Sequence, residues 1–170
     1  MTEPVKNSTT GEPLRVVIGS DHRGTVAAEH VQRTLERLGY SAYVAGVCEG
    51  SCDYPEKAYL VGEEINSGNA QRGVLICGTG IGMSIAGNKI KGLRAALVHD
   101  ELTAQLSRSH NDANVLCLSA DLLGERLIEK IIEVFMSAEF EGGRHARRVS
   151  KIAAIENGQD PRLVSDTQSV

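Results

Sequence analysis

Short apolar runs alternate along the chain with longer stretches in which apolar residues return every three to four positions. Residues 14–19 form a β-branched run closed by Gly19 and predict a first strand. Residues 25–38 set Val26, Ala27, His30, Val31, Leu35 and Leu38 at helical spacing and stop at Gly39, a C-terminal signal. The same reading predicts strands at 41–45, 73–77, 93–98 and 114–118, and helices at 56–65, 83–89, 100–109, 121–136 and 144–156. Asp100 and Asp121 stand at helix starts, where a carboxylate accepts a backbone N–H. The run 73–77 is apolar at nearly every position, as expected for a strand covered on both faces.

Five strands alternating with helices are the βαβ pattern of a parallel sheet. The expected fold is a Rossmann-like α/β protein, a three-layer α/β/α sandwich around a five-stranded parallel sheet, with a C-terminal helix packing on a partner subunit. The expected organisation is a flexible polar leader over 1–13, one domain over 14–156 and a loose tail over 157–170. Ligands of such sheets bind at the carboxyl ends of the strands. Function is therefore sought at Ser20-Asp21-His22, Cys77-Gly78-Thr79-Gly80, His99-Asp100 and Ser119-Ala120-Asp121.

Composition narrows the classes. The 170 residues carry a net charge of −4, with 41% hydrophobic and 24% charged residues, so no basic surface points to nucleic acid or an anionic membrane. No basic flank precedes an apolar stretch as in a signal peptide, and no apolar run has membrane-spanning length. Of the 4 cysteines, Cys77 and Cys117 fall in core runs, while Cys48 and Cys52 are spaced like half a metal site without a second half. Free thiols and a cytoplasmic location are expected.

Cys77-Gly78-Thr79-Gly80-Ile81-Gly82 sits on a strand-to-helix turn whose backbone N–H groups can cradle an anion. A thiolate there would suit proton abstraction beside a carbonyl, because the resulting enediolate needs donors. The spacing differs from a dinucleotide fingerprint, and the turn follows the third strand instead of the first. Asp21 and His22 can fix hydroxyls. His110 and Asn111 lie on a loop where a histidine can exchange protons. Arg144 and Arg148 are four apart and share a helix face, as a phosphate clamp would.

These stretches resemble the ribose-5-phosphate isomerase B family, which also holds galactose-6-phosphate and allose-6-phosphate isomerases. The resemblance rests on Ile18-Gly-Ser-Asp-His22, Asp53-Tyr54-Pro55, Gly73-Val-Leu-Ile-Cys-Gly-Thr-Gly-Ile-Gly82, Ala86-Gly-Asn-Lys89, Gly92-Leu-Arg-Ala95, Leu106-Ser-Arg-Ser-His-Asn-Asp-Ala-Asn-Val115 and Glu141-Gly-Gly-Arg-His145. It implies a metal-free, cofactor-free aldose–ketose isomerase interconverting ribose 5-phosphate and ribulose 5-phosphate through a cis-enediolate. Cys77 matches the base, His110 the ring-opening residue, and Thr79 adds its hydroxyl. Asp21, His22, Tyr54, Gly78, Gly80, Ile81, Gly82, Asn111, Arg144 and Arg148 match substrate contacts. The resemblance further implies a homodimer or dimer of dimers with sites shared between subunits, and neither nucleic-acid nor membrane partners.

One position departs. Where the family usually carries an arginine within Gly-x-Arg after strand five, this chain has Ser119-Ala120-Asp121. A carboxylate 4 Å from a phosphate charge costs on the order of 4 kcal/mol at an effective dielectric of about 20. Either the phosphate sits elsewhere or Asp121 turns away as a helix cap. The alternatives are therefore an isomerase of another sugar phosphate (allose 6-phosphate, galactose 6-phosphate or a tetrulose phosphate) or a non-catalytic sugar-phosphate-binding protein.

Overall fold

The computed structural model describes residues 4–7 and 10–165. In chain order its elements are β1 Arg15–Ser20, α1 Thr25–Arg37, β2 Ser41–Val44, α2 Tyr54–Asn66, β3 Arg72–Cys77, α3 Ile81–Gly87, β4 Ala95–Leu97, α4 Glu101–Ser109, β5 Val115–Ser119, α5 Glu125–Ser137, α6 Arg144–Glu156 and a 3-10 turn Pro161–Leu163. All strand pairings are parallel, in the order β2-β1-β3-β5-β4.

Strand side chains point alternately to opposite faces, which sorts the apolar runs into two cores. Val16, Ile18, Val74, Ile76, Leu116 and Leu118 pack with Ala28, Val31 and Leu35 of α1 and with Ile128, Ile131, Ile132 and Phe135 of α5. Val17, Leu75, Cys77, Val115 and Cys117 face the other way, onto Ala58 and Val61 of α2 and Met83 of α3. Each of these larger apolar side chains contributes roughly 1.5–3 kcal/mol by leaving water. The sandwich expected from the sequence is thus present, and the continuity of the β3 run has its cause: both faces are covered.

The chain leaves β1 for β2 on one side and then crosses to β3 on the other. The connections diverge there, so the carboxyl ends of β1 and β3 open a crevice. Ser20 of β1 pairs with Ile76, and Cys77 with Ser119. That register gathers Asp21, the glycine turn and Ser119 at one edge of the sheet.

Three expectations change. The helix expected from Asp121 starts at Glu125, with Gly124 as its cap residue. The Ser119 hydroxyl accepts from Leu122 N at 3.0 Å and donates to the Gly78 carbonyl at 2.6 Å, so the chain turns before the helix can begin. Asp121 is therefore no helix cap. Asp100 does cap α4, accepting from Thr103 N at 2.7 Å. Second, Cys48 and Cys52 form a disulfide, not free thiols. Both sulfurs are committed, which removes the half metal site and the thiol argument for a reducing compartment. Cys77 and Cys117 are free. Third, α2 and α3 start two residues before their expected positions, at Tyr54 and Ile81, so Ile81 and Gly82 belong to a helix as well as to the turn.

In the leader, Val5 N donates to the Tyr40 hydroxyl at 3.1 Å and Lys6 bridges to Pro13. In the tail, Asp160 forks onto Arg162. Helix α6 leaves Ile152 and Ile155 exposed. Among the described residues no helix is long and apolar enough to cross a membrane.

Candidate active site

Cys77 ends β3 with 5% of its surface exposed. The backbone turns back over it, and Gly80 N–H donates to its Sγ at 3.1 Å. Gly80 has φ +75, and a Cβ there would lie 2.7 Å from Leu97 Cδ1 and 3.0 Å from the Leu118 carbonyl, so only glycine lets the turn close. Thr79 is exposed and its hydroxyl accepts from Ile81 N at 3.3 Å. No protein acceptor among the described residues takes the Gly82 or Met83 N–H. Two backbone donors at the start of α3 thus remain without a protein partner among the described residues.

Neighbouring loops build the walls. The Tyr54 ring packs on Gly82, where a Cβ would come within 2.8 Å of it. Asp21 is buried, and one carboxylate oxygen accepts from Arg23 N at 2.9 Å and Gly24 N at 3.1 Å. This makes the expected substrate contact also the anchor of its own loop. His22 is exposed, with Nδ1 3.2 Å from the Cys52 carbonyl on the disulfide loop. Ala120 N and Asp121 N donate to the carbonyls of Cys77 and Gly78 at 2.9 and 3.0 Å, tying the β5 turn to the glycine turn after β3. Cys117, fully buried on the same face, has its thiol pushed up by burial and then by Cys77, and stays a core residue.

The remaining expected residues gather elsewhere. His110 caps the C-terminal end of α4, and its ring stacks on that of His145 with centroids 4.1 Å apart. Glu141 approaches the two imidazoles at 3.8 and 3.7 Å, and its N–H donates to the Ser109 carbonyl at 3.0 Å. Arg144 Nε lies 3.3 Å from His145 Nε2. Burial, then the neighbouring His110 and Arg144, hold the His145 pKa below the usual imidazole range. The ligand atoms of His110, Glu141 and His145 lie within 4.8 Å of one another, a spacing that could admit a metal ion. The two rings lie 10° from parallel, and the Arg144 guanidinium already donates to His145 Nε2. Asn111 and Arg148 are exposed beside it. Asp112, at φ +46, fixes the loop by pairing with Arg94 at 2.8 Å and Arg108 at 2.7 Å.

His110 precedes β5, whose first residue pairs with Gly73, whereas Cys77 pairs with the last residue, Ser119. Four strand steps separate these levels, roughly 13 Å. Within one subunit the histidine cluster and the thiol therefore occupy opposite ends of the sheet, and folding back of the C-terminal segment does not unite them.

Three groups at these sites have contacts to which the sequence assigned no role. Arg23 forks onto Asp121 at 3.0 and 2.9 Å across the glycine turn after β3. Ser119 holds the Gly78 carbonyl, and His145 stacks on His110. The anomaly at Asp121 was the one available pointer to the first.

The thiol and the amide-bearing turn lie at the switch point of a parallel α/β sheet, where proteins of this class bind small ligands, and comparison with known proteins gives the family. Residues 16–152 match the Ribose/Galactose Isomerase family model, and the chain belongs to that family; it is an isomerase. The D-erythrulose-4-phosphate isomerase of Pectobacterium atrosepticum is 47% identical over 149 residues, covering 85% of this chain and 96% of that protein. The ribose-5-phosphate isomerase B of Clostridium thermocellum superposes with a TM-score of 0.83 at 42% identity, covering 85% of this chain and 99% of that one. The Mycoplasma genitalium enzyme, solved with bound ribulose-5-phosphate, superposes with a TM-score of 0.80 at 39% identity, covering 86% and 98%.

Proposed function

We propose that this chain is an aldose–ketose isomerase of a small sugar phosphate, with ribose 5-phosphate and ribulose 5-phosphate as the leading pair. The observation that carries the reading is the Cys77 sulfur held by the Gly80 N–H at the switch point of the sheet. In this scheme the thiolate takes the proton from C2 of the open-chain aldose. The C1 oxygen gains charge as the cis-enediolate forms, and the turn amides and the Thr79 hydroxyl offset that charge. The proton returns to C1 while the C2 hydroxyl proton passes to O1, giving the C2 carbonyl and C1 hydroxyl of the ketose. No redox cofactor is needed, since C1 is reduced as C2 is oxidised within one molecule.

His110, an imidazole, exchanges the ring-oxygen proton during opening. It reaches the thiol from a second copy of the chain, together with Asn111, Arg144 and Arg148. The separation of the two clusters supports this arrangement, as do the exposed Ile152 and Ile155 on α6. A homodimer, or a dimer of dimers, is the assembly that follows. A cytoplasmic location suits a phosphorylated substrate, which does not cross membranes unaided.

A tetrulose phosphate is the second reading. Asp121 in place of the family's arginine favours it, and so does the 47% identity to an enzyme named for erythrulose 4-phosphate. Turnover of ribose 5-phosphate, erythrulose 4-phosphate, allose 6-phosphate and galactose 6-phosphate in EDTA tests both. A reaction that appears only on adding a divalent metal defeats the proton-transfer scheme. Tight binding without turnover of any of these sugars supports a non-catalytic sugar-phosphate-binding protein instead.

A further inference from the structure

Arg23 follows Asp21 and His22 at the carboxyl end of β1, and its backbone is fixed by the bond from its N–H to Asp21. Its side chain crosses the first residue of the catalytic turn. A Cβ on Gly78 would lie 3.1 Å from Arg23 Nε and 2.8 Å from Asp121 Oδ2. The pair is a two-point fork, Nε to Oδ2 at 3.0 Å and Nη2 to Oδ1 at 2.9 Å, linking the β1 and β5 loops over the carboxyl end of β3.

The fork uses one edge of the guanidinium. Nη1 and the second Nη2 hydrogen have no protein partner among the described residues, and 58% of the side chain is exposed. Surface ion pairs in general contribute little stability. This one does something more specific: it freezes a planar cation, donors outward, against the turn that carries the base. It also answers the charge problem posed by Asp121. With Arg23 bound to it the carboxylate is neutralised, and the group left facing outward is a donor edge whose geometry matches two oxygens of a phosphate.

We infer that Arg23 is a substrate-binding residue supplied from within the subunit, gripping the phosphate of the sugar phosphate, with Asp121 as its positioning residue. The inference rests on the isomerase reading for the identity of the substrate but not for the anion it binds. It replaces an arginine after β5 by one after β1, buttressed from the β5 side. Because Arg23 lies directly on the catalytic turn, it holds the phosphate close to the reacting carbons and favours a short sugar chain.

The test uses inorganic phosphate as the probe, titrated calorimetrically into the full-length wild type and the Arg23→Ala, Arg23→Lys and Asp121→Asn variants at constant ionic strength. Arg23→Gln, which keeps the stem, stands in should the alanine variant melt early. Expected are a loss of phosphate affinity of about tenfold or more in Arg23→Ala, the ratio carried by one charge-assisted hydrogen bond, and partial recovery in Arg23→Lys. In turnover, inorganic phosphate competes with the substrate, and Arg23→Ala raises KM by a similar factor while kcat moves less. Asp121→Asn raises KM severalfold in the same direction.

Unchanged phosphate affinity in Arg23→Ala overturns the inference, as does wild-type protein that binds no phosphate. A fall in kcat at constant KM assigns Arg23 a purely structural role and also overturns it. Phosphate inhibition that is not competitive places the anion at a separate site and overturns it equally. A wild type that turns over no sugar phosphate refutes the isomerase reading alone, because the phosphate titration still decides the role of Arg23.

Discussion

Gly80→Ala perturbs the geometry on which the chemistry depends while leaving every functional side chain in place. The residue sits at φ +75, where a side chain costs about 1–2 kcal/mol. The added methyl would also meet Leu97 Cδ1 at 2.7 Å and the Leu118 carbonyl carbon and oxygen at 3.0 Å. Leu97 can shift, but Leu118 is paired with Ile76 in the sheet and cannot retreat. Overpacking of this kind costs about 1–3 kcal/mol. The sum, about 2–5 kcal/mol, matches or outweighs what one charge-assisted hydrogen bond returns, about 1.5–3 kcal/mol. The turn should therefore yield first, swinging the Gly80 N–H off Cys77. Urea denaturation should show a modest stability loss, while kcat falls about tenfold to a hundredfold, the equivalent of that bond. Reactivity of Cys77 toward iodoacetamide at neutral pH should fall in parallel. Wild-type kcat and thiol reactivity in a folded Gly80→Ala protein would refute the claim that this amide holds the sulfur for proton transfer.

Three further outcomes follow from the same structure. Cys77→Ser should lower kcat by about 10²–10⁴-fold with KM little changed, since the substrate contacts survive; steady-state kinetics decides it, and a Ser variant within threefold of wild type contradicts it. Asp112→Ala should destabilise the protein by about 2 kcal/mol, because it strands the buried Arg108 and puts alanine at φ +46; Asp112→Asn should cost less, and equal urea midpoints for all three proteins would argue otherwise. Because the folded-state pKa of His145 is depressed, the unfolded chain binds more protons below its ordinary pKa, so the stability associated with a neutral His145 is complete above about pH 6.5 and is lost as pH falls through the folded value. Unfolding midpoints should therefore drop from pH 7 to pH 5 and drop less in His145→Gln; identical slopes in both proteins would remove His145 as a cause.

The features legible in sequence were those set by local pattern. An apolar run with no polar interruption required a doubly covered strand, and β3 is one. Glycines after that run required a tight turn, and the turn closes on Cys77. What escaped depended on partners distant in sequence. Asp121 looked like a helix cap because an aspartate followed by an amphipathic stretch is the usual signal; the Ser119 hydroxyl diverted the chain, and the real partner of Asp121 lies 98 residues away at Arg23. The spacing of Cys48 and Cys52 cannot reveal whether the loop brings their Cβ atoms together, so the disulfide was missed. His145 read as one more polar residue of a basic helix start, since stacking on His110 needs the geometry of two elements.

The central claim is that the Cys77 sulfur moves the proton. The most direct measurement follows residual turnover of ribose 5-phosphate in EDTA against the fraction of Cys77 carrying an iodoacetamide adduct, located by peptide mass spectrometry. Activity should fall in proportion to labelling of Cys77, with saturating substrate slowing both. Full turnover by protein whose Cys77 is completely alkylated would contradict it.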